Sequence, residues 1–310
     1  PEPQVVQEGR FEYLQEFPSS LLGNTRTIRI FLPASYGTTS DRTYPVLYMH
    51  DGQNLFDAST AAFGVEWQVD ETLDAGVTDG TLSEVLVVGI DNTDDRISEY
   101  TPTVDASYGG GDGDLYARFI LEELRPYIET HYTTRCGPSN TAVMGSSLGG
   151  LISFYMGWTY PEAFGMAAAV SPSFWWNDGD TLALLEAFTG APPAVRFWVD
   201  AGTAEGEDDD GDGLTYVVED VRAVRDQLLE LDYVFERTLG YQEQYGAGHN
   251  ETAWASRLGN PLRFFFGIDL EPAVTGLELL PYGSLLGLTG TTSSQLEVNS
   301  QYGNGLEMTV

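Results

Sequence analysis

Two apolar periods take turns along the chain. Short runs in which most residues are apolar read as strands buried on both faces: RTIRIFL (26–32), YPVLYMHDG (44–52), EVLVVGIDN (84–92), TAVMGSS (141–147), MAAAVSPS (166–173) and VRFWVDAG (195–202). Between them lie VEWQVDETLDAG (65–76), GDLYARFILEELRPYIETHY (113–132), LGGLISFYMGWTY (148–160) and TYVVEDVRAVRDQLLEL (215–231). The second and fourth of these space their apolar residues as a helix does. Alternation of this kind predicts a layered α/β domain with a mainly parallel sheet and helices on both faces, over residues 1–268. The pattern changes after Asp269. Residues 269–310 have no helical period and read as short alternating strands between Gly, Ser, Thr and Asn, a β-rich C-terminal segment.

One junction between the two periods carries a chemical signal. Gly145–Gly149, GSSLG, fits G-x-S-x-G with Ser147 at its centre, a strand before it and a helix after it. Small flanking residues permit a tight strand-to-helix turn. That turn exposes a serine hydroxyl at a helix N-terminus, where developing negative charge is favoured. Ser146 would point the other way and pack.

A serine nucleophile needs a base placed after it in this kind of fold. Of the three histidines, His50 ends a strand and His131 ends a helix as a cap or surface residue. Only His249, in GAGHNETAW, comes late enough. The acid should follow the strand VRFWVDAG, where Asp200, Glu205, Glu207 and Asp208 are on offer. Glu205 sits just past the strand end, and Asp200 is the fallback. An oxyanion hole needs two backbone N–H donors. Leu148, after the nucleophile, supplies one, and Gln53, in the loop MHDGQNLFD, the other.

In order along the chain, YPVLYMHDGQNLFD, GSSLGG, VSPSFWW, DAGTAEG and GAGHNETAW resemble the esterase branch of the α/β-hydrolases. That branch includes enterochelin esterases, feruloyl and acetylxylan esterases, S-formylglutathione hydrolases and mycolyltransferases. The resemblance runs from about Arg26 to Gly267. It implies an α/β-hydrolase fold with Ser147 as nucleophile, His249 as base, Glu205 as acid, and the N–H groups of Gln53 and Leu148 as the oxyanion hole. It implies no organic cofactor. The expected activity is that of a serine carboxylesterase working through an acyl-enzyme on feruloyl or acetyl esters of polysaccharides, or on similar small or polymeric esters. Hydrolysis of a siderophore lactone and acyl transfer are the enzymatic alternatives. A silent hydrolase fold serving as an adhesion module is the non-enzymatic one, prompted by the C-terminal segment, which resembles the first strands of bacterial immunoglobulin-like surface domains.

Aromatic residues crowd these motifs. Trp67, Tyr100, Trp175, Trp176 and Trp254 are expected to wall a substrate site for a sugar or phenolic group. Charge then narrows the partners. Fourteen basic residues, all arginine, face 47 acidic ones, a net charge of −33. Such a surface repels nucleic acid and anionic membranes and suits concentrated salt. The single cysteine, Cys136, rules out an internal disulfide framework. No apolar run approaches a membrane span. The acidic loop DDDGDGLTYVVE places Asp208, Asp210, Asp212, the Leu214 carbonyl and Glu219 at calcium-loop spacing, so a structural Ca²⁺ is expected there. The absence of a leader, the calcium loop and the β-rich segment together suggest a secreted or cell-surface protein.

Overall fold

A computed structural model describes residues 8–39 and 41–268. The expected β-rich segment, residues 269–310, lies outside the described residues. The sheet strands are β1 (Arg10–Pro18), β2 (Thr25–Leu32), β3 (Val46–His50), β4 (Leu86–Ile90), β7 (Thr141–Ser147), β8 (Met166–Pro172), β9 (Arg196–Gly202) and β10 (Leu239–Gln244), and β5 (Val104–Asp105) with β6 (Gly109–Gly110) forms a separate hairpin. The large sheet runs β1-β2-β4-β3-β7-β8-β9-β10. Pairing is antiparallel from β1 to β2 and from β2 to β4, and parallel across the other six strands.

The strands alternate between two cores, which is why their sequences look uniformly apolar. Val46 and Tyr48 of β3, Val143 of β7, and Phe197 and Val199 of β9 enter one core, together with Leu151 and Phe154 of α5 (Leu148–Thr159) and Val221 and Leu228 of α7 (Tyr216–Glu230). Leu47 and Met49, Ala142 and Met144, and Trp198 enter the other, against Val69 and Leu73 of α1 (Val69–Thr78) and Leu262 and Phe266 of α9 (Gly259–Phe266). A strand with helices on both faces has no polar side to show.

The six strands read from the pattern are all present. The two that escape it are the sheet's edges. β1 alternates around charged residues, and β10, LGYQEQ, is mostly polar because one flank is open. The expected helix over 113–132 forms in three pieces: α3 (Gly113–Arg118), a π-helical turn (Phe119–Leu124) and α4 (Arg125–His131). Pro126 sits in the first turn of α4 and has no N–H to give back, so the widened turn absorbs a break in the i→i−4 ladder. Among the described residues, four further α-helices go unread: α2 (Arg96–Glu99), α6 (Trp176–Glu186), α8 (Glu251–Arg257) and α9. Among the described residues, no helix is long and apolar enough to cross a membrane.

At the β7–α5 junction the backbone passes so close to itself that only glycine fits. A Cβ on Gly145 would lie 2.7 Å from the Gly149 carbonyl and 2.9 Å from His50 Cδ2. Gly145→Ala is expected to destabilise the fold by about 1–3 kcal/mol through overpacking, read as a lowered urea midpoint at unchanged m-value.

Candidate active site

Ser147 ends β7 and caps α5 with φ 58° and ψ −124°, a conformation that L residues rarely adopt. Strain of this kind persists only where the surroundings impose it. Ser146 is buried and in register with Val170, so it packs, and the hydroxyl of Ser147 remains part-exposed. Ser147 Oγ lies 3.3 Å from Ser173 Oγ, and the Ser173 N–H donates to the Ser147 carbonyl at 3.1 Å. Among the described residues, the hydrogen bond formed by this hydroxyl goes to Ser173 rather than to His249. Such contacts commonly tighten only when substrate binds.

His249 sits in the loop after β10, one residue before Asn250, whose side chain caps α8 by accepting from the Ala253 N–H. Its Nδ1 is 2.9 Å from Glu205 Oε2. With Nδ1–H donating to the carboxylate, Nε2 is left free to accept a proton. Glu205 is fully buried. Its other oxygen, Oε1, accepts from Ser171 Oγ at 2.6 Å, the Gly202 N–H at 2.8 Å and Arg257 Nη2 at 3.3 Å. Burial pushes this carboxyl up. The bonds from His249 and Ser171, with the charge of Arg257, outweigh burial and hold it below the usual glutamate range. Asp200, the fallback acid, points elsewhere. It accepts from Arg257 Nε at 2.9 Å, Trp198 Nε1 at 2.7 Å and the Ser171 N–H at 3.2 Å.

The β3 loop supplies the second candidate N–H donor. Asp51 takes the left-handed conformation (φ 55°, ψ 46°) and is held by Arg96 at 2.7 and 2.8 Å and by Asn92 Nδ2 at 2.5 Å. Gly52 passes so close to β4 that a Cβ would meet the Asp91 N and Gly89 C at 2.8 Å. Gln53 follows, its carbonyl accepting from Thr60 Oγ1 at 2.7 Å and its side-chain Oε1 from the Asn92 N–H at 3.2 Å. The Leu148 N–H opens α5 and is one of the donors that a helix start leaves without an internal partner.

His50 lies beneath the elbow, buried, with Nδ1 2.9 Å from the Tyr116 hydroxyl and, among the described residues, no partner for Nε2. Burial, opposed by Asp51 and aided by Arg96 and Arg26, pushes it down to about 3. It stays neutral as packing under the glycines. His131 is exposed and stacks on Tyr127 at 3.9 Å, and Cys136 is exposed.

The expected aromatic wall is mostly not a wall. Trp67 is buried and packs 5.7 Å from Trp254. Tyr100 is fully buried and its hydroxyl accepts from the Asp51 N–H at 3.1 Å. Trp176 is buried and donates Nε1 to the Thr103 carbonyl at 3.0 Å. Trp254 is buried edge-on to the His249 ring at 5.0 Å, with Nε1 donating to Ser171 Oγ at 3.0 Å. The sequence marks these rings as near the motifs but not as facing solvent, and the cores claim them. Trp175 alone of the five is half-exposed, joined at 5.8 Å by the exposed Tyr108, which sequence reasoning missed. Ser171, Ser173, Arg96 and Arg257 were missed too. Only the small residues of VSPS could have hinted at the serines.

The acidic loop gathers carboxylates. Oxygens of Asp208, Asp210 and Asp212 lie within 4.8 Å of one another, all exposed. The three also fold the turn, accepting from the Gly211, Gly213, Asp212 and Leu214 N–H groups. Glu219 lies in their field, and burial followed by Asp210, Asp212 and Asp208 raises its carboxyl.

A serine elbow on a mostly parallel sheet, with a buried carboxylate and a histidine on loops beyond later strands, is the architecture of the α/β-hydrolases. Comparison with known proteins carries this further. The profile of the esterase family, described as "Putative esterase", matches residues 19–265. The chain belongs to this family of carboxylic ester hydrolases. It is 28% identical over 252 residues to the uncharacterized protein YbbA of Bacillus subtilis, covering 79% of this chain and 94% of YbbA. It is 30% identical over 203 residues to an iron(III) salmochelin esterase of Escherichia coli, covering 60% of this chain and 44% of that protein, less than half its length. A solved ferulic acid esterase shares the fold with a TM-score of 0.63 at 19% identity, covering 84% of this chain and 98% of that one.

Folded His50 binds fewer protons than unfolded histidine between about pH 6.5 and 3, so the unfolded state gains on acidification there and stability is lost as pH falls. The slope from this group is at most about 1.4 kcal/mol per pH unit. In His50→Gln, ΔG measured by urea denaturation from pH 7 to 4 should fall less steeply than in wild type.

Proposed function

We propose that the protein hydrolyses carboxylic esters through an acyl-enzyme on Ser147. The observation that carries this reading is the 2.9 Å contact between His249 and the buried Glu205, in a chain whose strand-to-helix elbow holds Ser147 in a strained backbone conformation. His249 Nε2 takes the hydroxyl proton as Ser147 Oγ attacks the ester carbonyl. The N–H groups of Leu148 and Gln53 receive the oxyanion. The alcohol leaves with the proton from His249, and water repeats the attack to release the acid. Glu205 fixes the imidazole tautomer and stabilises the imidazolium.

The substrate in this reading is a neutral ester, with a phenolic or sugar group resting on Trp175 and Tyr108. The net charge of −33 repels anions. The two arginines in the site's networks, Arg96 and Arg257, are each bonded to a carboxylate. A catecholate siderophore loaded with iron is an anion and meets no free cation among these groups. The salmochelin esterase relative favours the siderophore lactone as the second reading. We also propose that the loop of Asp208, Asp210 and Asp212 takes a structural Ca²⁺ and, starting three residues after Glu205, stiffens the acid's segment. Export to a saline exterior accords with the acidic surface and is proposed on that ground.

Ser147→Ala should lower hydrolysis of p-nitrophenyl acetate by at least about a thousandfold with the fold intact. A panel of feruloyl-sugar, acetyl-sugar and triserine-lactone esters should show the highest kcat/KM on the neutral sugar esters. Preference for the iron-loaded lactone would replace this reading with the second. Chelation by EGTA should lower the melting temperature, with recovery on adding Ca²⁺, and an unchanged melting temperature would remove the calcium proposal.

A further inference from the structure

Behind the Glu205–His249 pair lies a second, mostly buried set of polar groups. Arg257 ends α8 and is buried to 2% exposure. Its Nε bonds Asp200, its Nη2 bonds Ser171 Oγ at 2.5 Å and Glu205 Oε1 at 3.3 Å, and its Nη1 bonds Gln244 Oε1 at 3.2 Å. Ser171, fully buried with φ 42°, passes the contact on. Its hydroxyl donates to Glu205 Oε1 and accepts from Trp254 Nε1. Trp254, three residues before Arg257 on the same helix face, stands edge-on to the imidazole. One short helix, entered directly from His249, therefore steadies both the base and its acid.

The geometry assigns Arg257 and Ser171 as positioning residues of the reaction: they pin Oε1 of Glu205 so that Oε2 alone is presented to His249. This rests on the acyl-enzyme reading above. The physical reason is a choice of orientations. A buried carboxylate can rotate its two oxygens between partners, and three donors on one oxygen remove that freedom. The charge is balanced as well. Arg257 offsets Asp200, so Glu205 is the negative charge left to the imidazolium.

The test uses the full chain. A fluorophosphonate is applied first, and the adduct is located by mass spectrometry. Absence of an adduct on Ser147 overturns the acyl-enzyme reading itself. With that adduct in hand, Ser171→Gly removes the hydroxyl at a position whose positive φ suits glycine, so the backbone is not strained by the change. The expected result is a roughly tenfold fall in kcat with KM within about twofold, since a small misplacement of the relay acts on the chemical step. The acid limb of kcat/KM should also move to higher pH. A carboxylate that has lost a donor holds the imidazolium more tightly, and the other groups facing Glu205 are unchanged: Asp200 from β9, Arg257 from α8, and Tyr216 from α7, whose phenol burial keeps protonated. Arg257→Lys keeps the charge beside Asp200 but loses the fork, and should show the same kcat loss. Wild-type kcat and an unmoved acid limb in both variants, with Ser147 still labelled, would overturn this inference alone. A loss confined to KM would overturn it too.

Discussion

The site depends on keeping an ionised carboxylate in a place without water. Glu205 is fully buried, and an isolated charge there would take up a proton instead. It remains a carboxylate because two side chains, a backbone N–H and an arginine converge on it. Those donors come from β8, the end of β9, the loop after β10 and α8. Three neighbouring strands must therefore be in register before the charge is tolerable, and the parallel pairing of β8, β9 and β10 provides that register.

A similar arrangement recurs on the other flank of the elbow. The left-handed Asp51 is gripped by Arg96 and Asn92, and its N–H rests on the hydroxyl of Tyr100. Arg26 and Glu99 form a further pair, this one enclosed, with the guanidinium over Tyr116 and Phe119. Among the described residues, two of the chain's few cations, Arg26 and Arg257, are buried, each on a carboxylate. Arginine suits this because its planar fork binds two oxygens at once and is less strongly hydrated than an ammonium. Removing one partner of such a buried pair strands the other charge, which is costly away from water.

The elbow itself is a packing problem solved by absent atoms. Gly145 and Gly149 leave room for a neutral His50 beneath them, and Gly150 lets α5 settle on Pro172 and Val170 of β8. The strain at Ser147 is held between a strand and a helix that are each fixed by a full core. That is the condition under which a hydroxyl can be aimed rather than left to rotate.

Much of this was legible in the residues. Uniformly apolar runs meant strands covered on both faces, and the six so read are there, because double burial leaves a plain mark on composition. GSSLG announced the elbow, since only small residues pass through such a turn. Chain order brought His249 into view, and the structure places Glu205 against it while turning Asp200 to Arg257. The edge strands β1 and β10 were illegible because an open flank removes the pressure to be apolar. The aromatic wall was misread because a ring near a motif has the same letter whether it faces substrate or core. Arg257 left no mark, and Ser171 and Ser173 only the small residues of VSPS: their parts come from contacts across 26 to 86 residues of chain, and only folding decides which polar groups meet out of water.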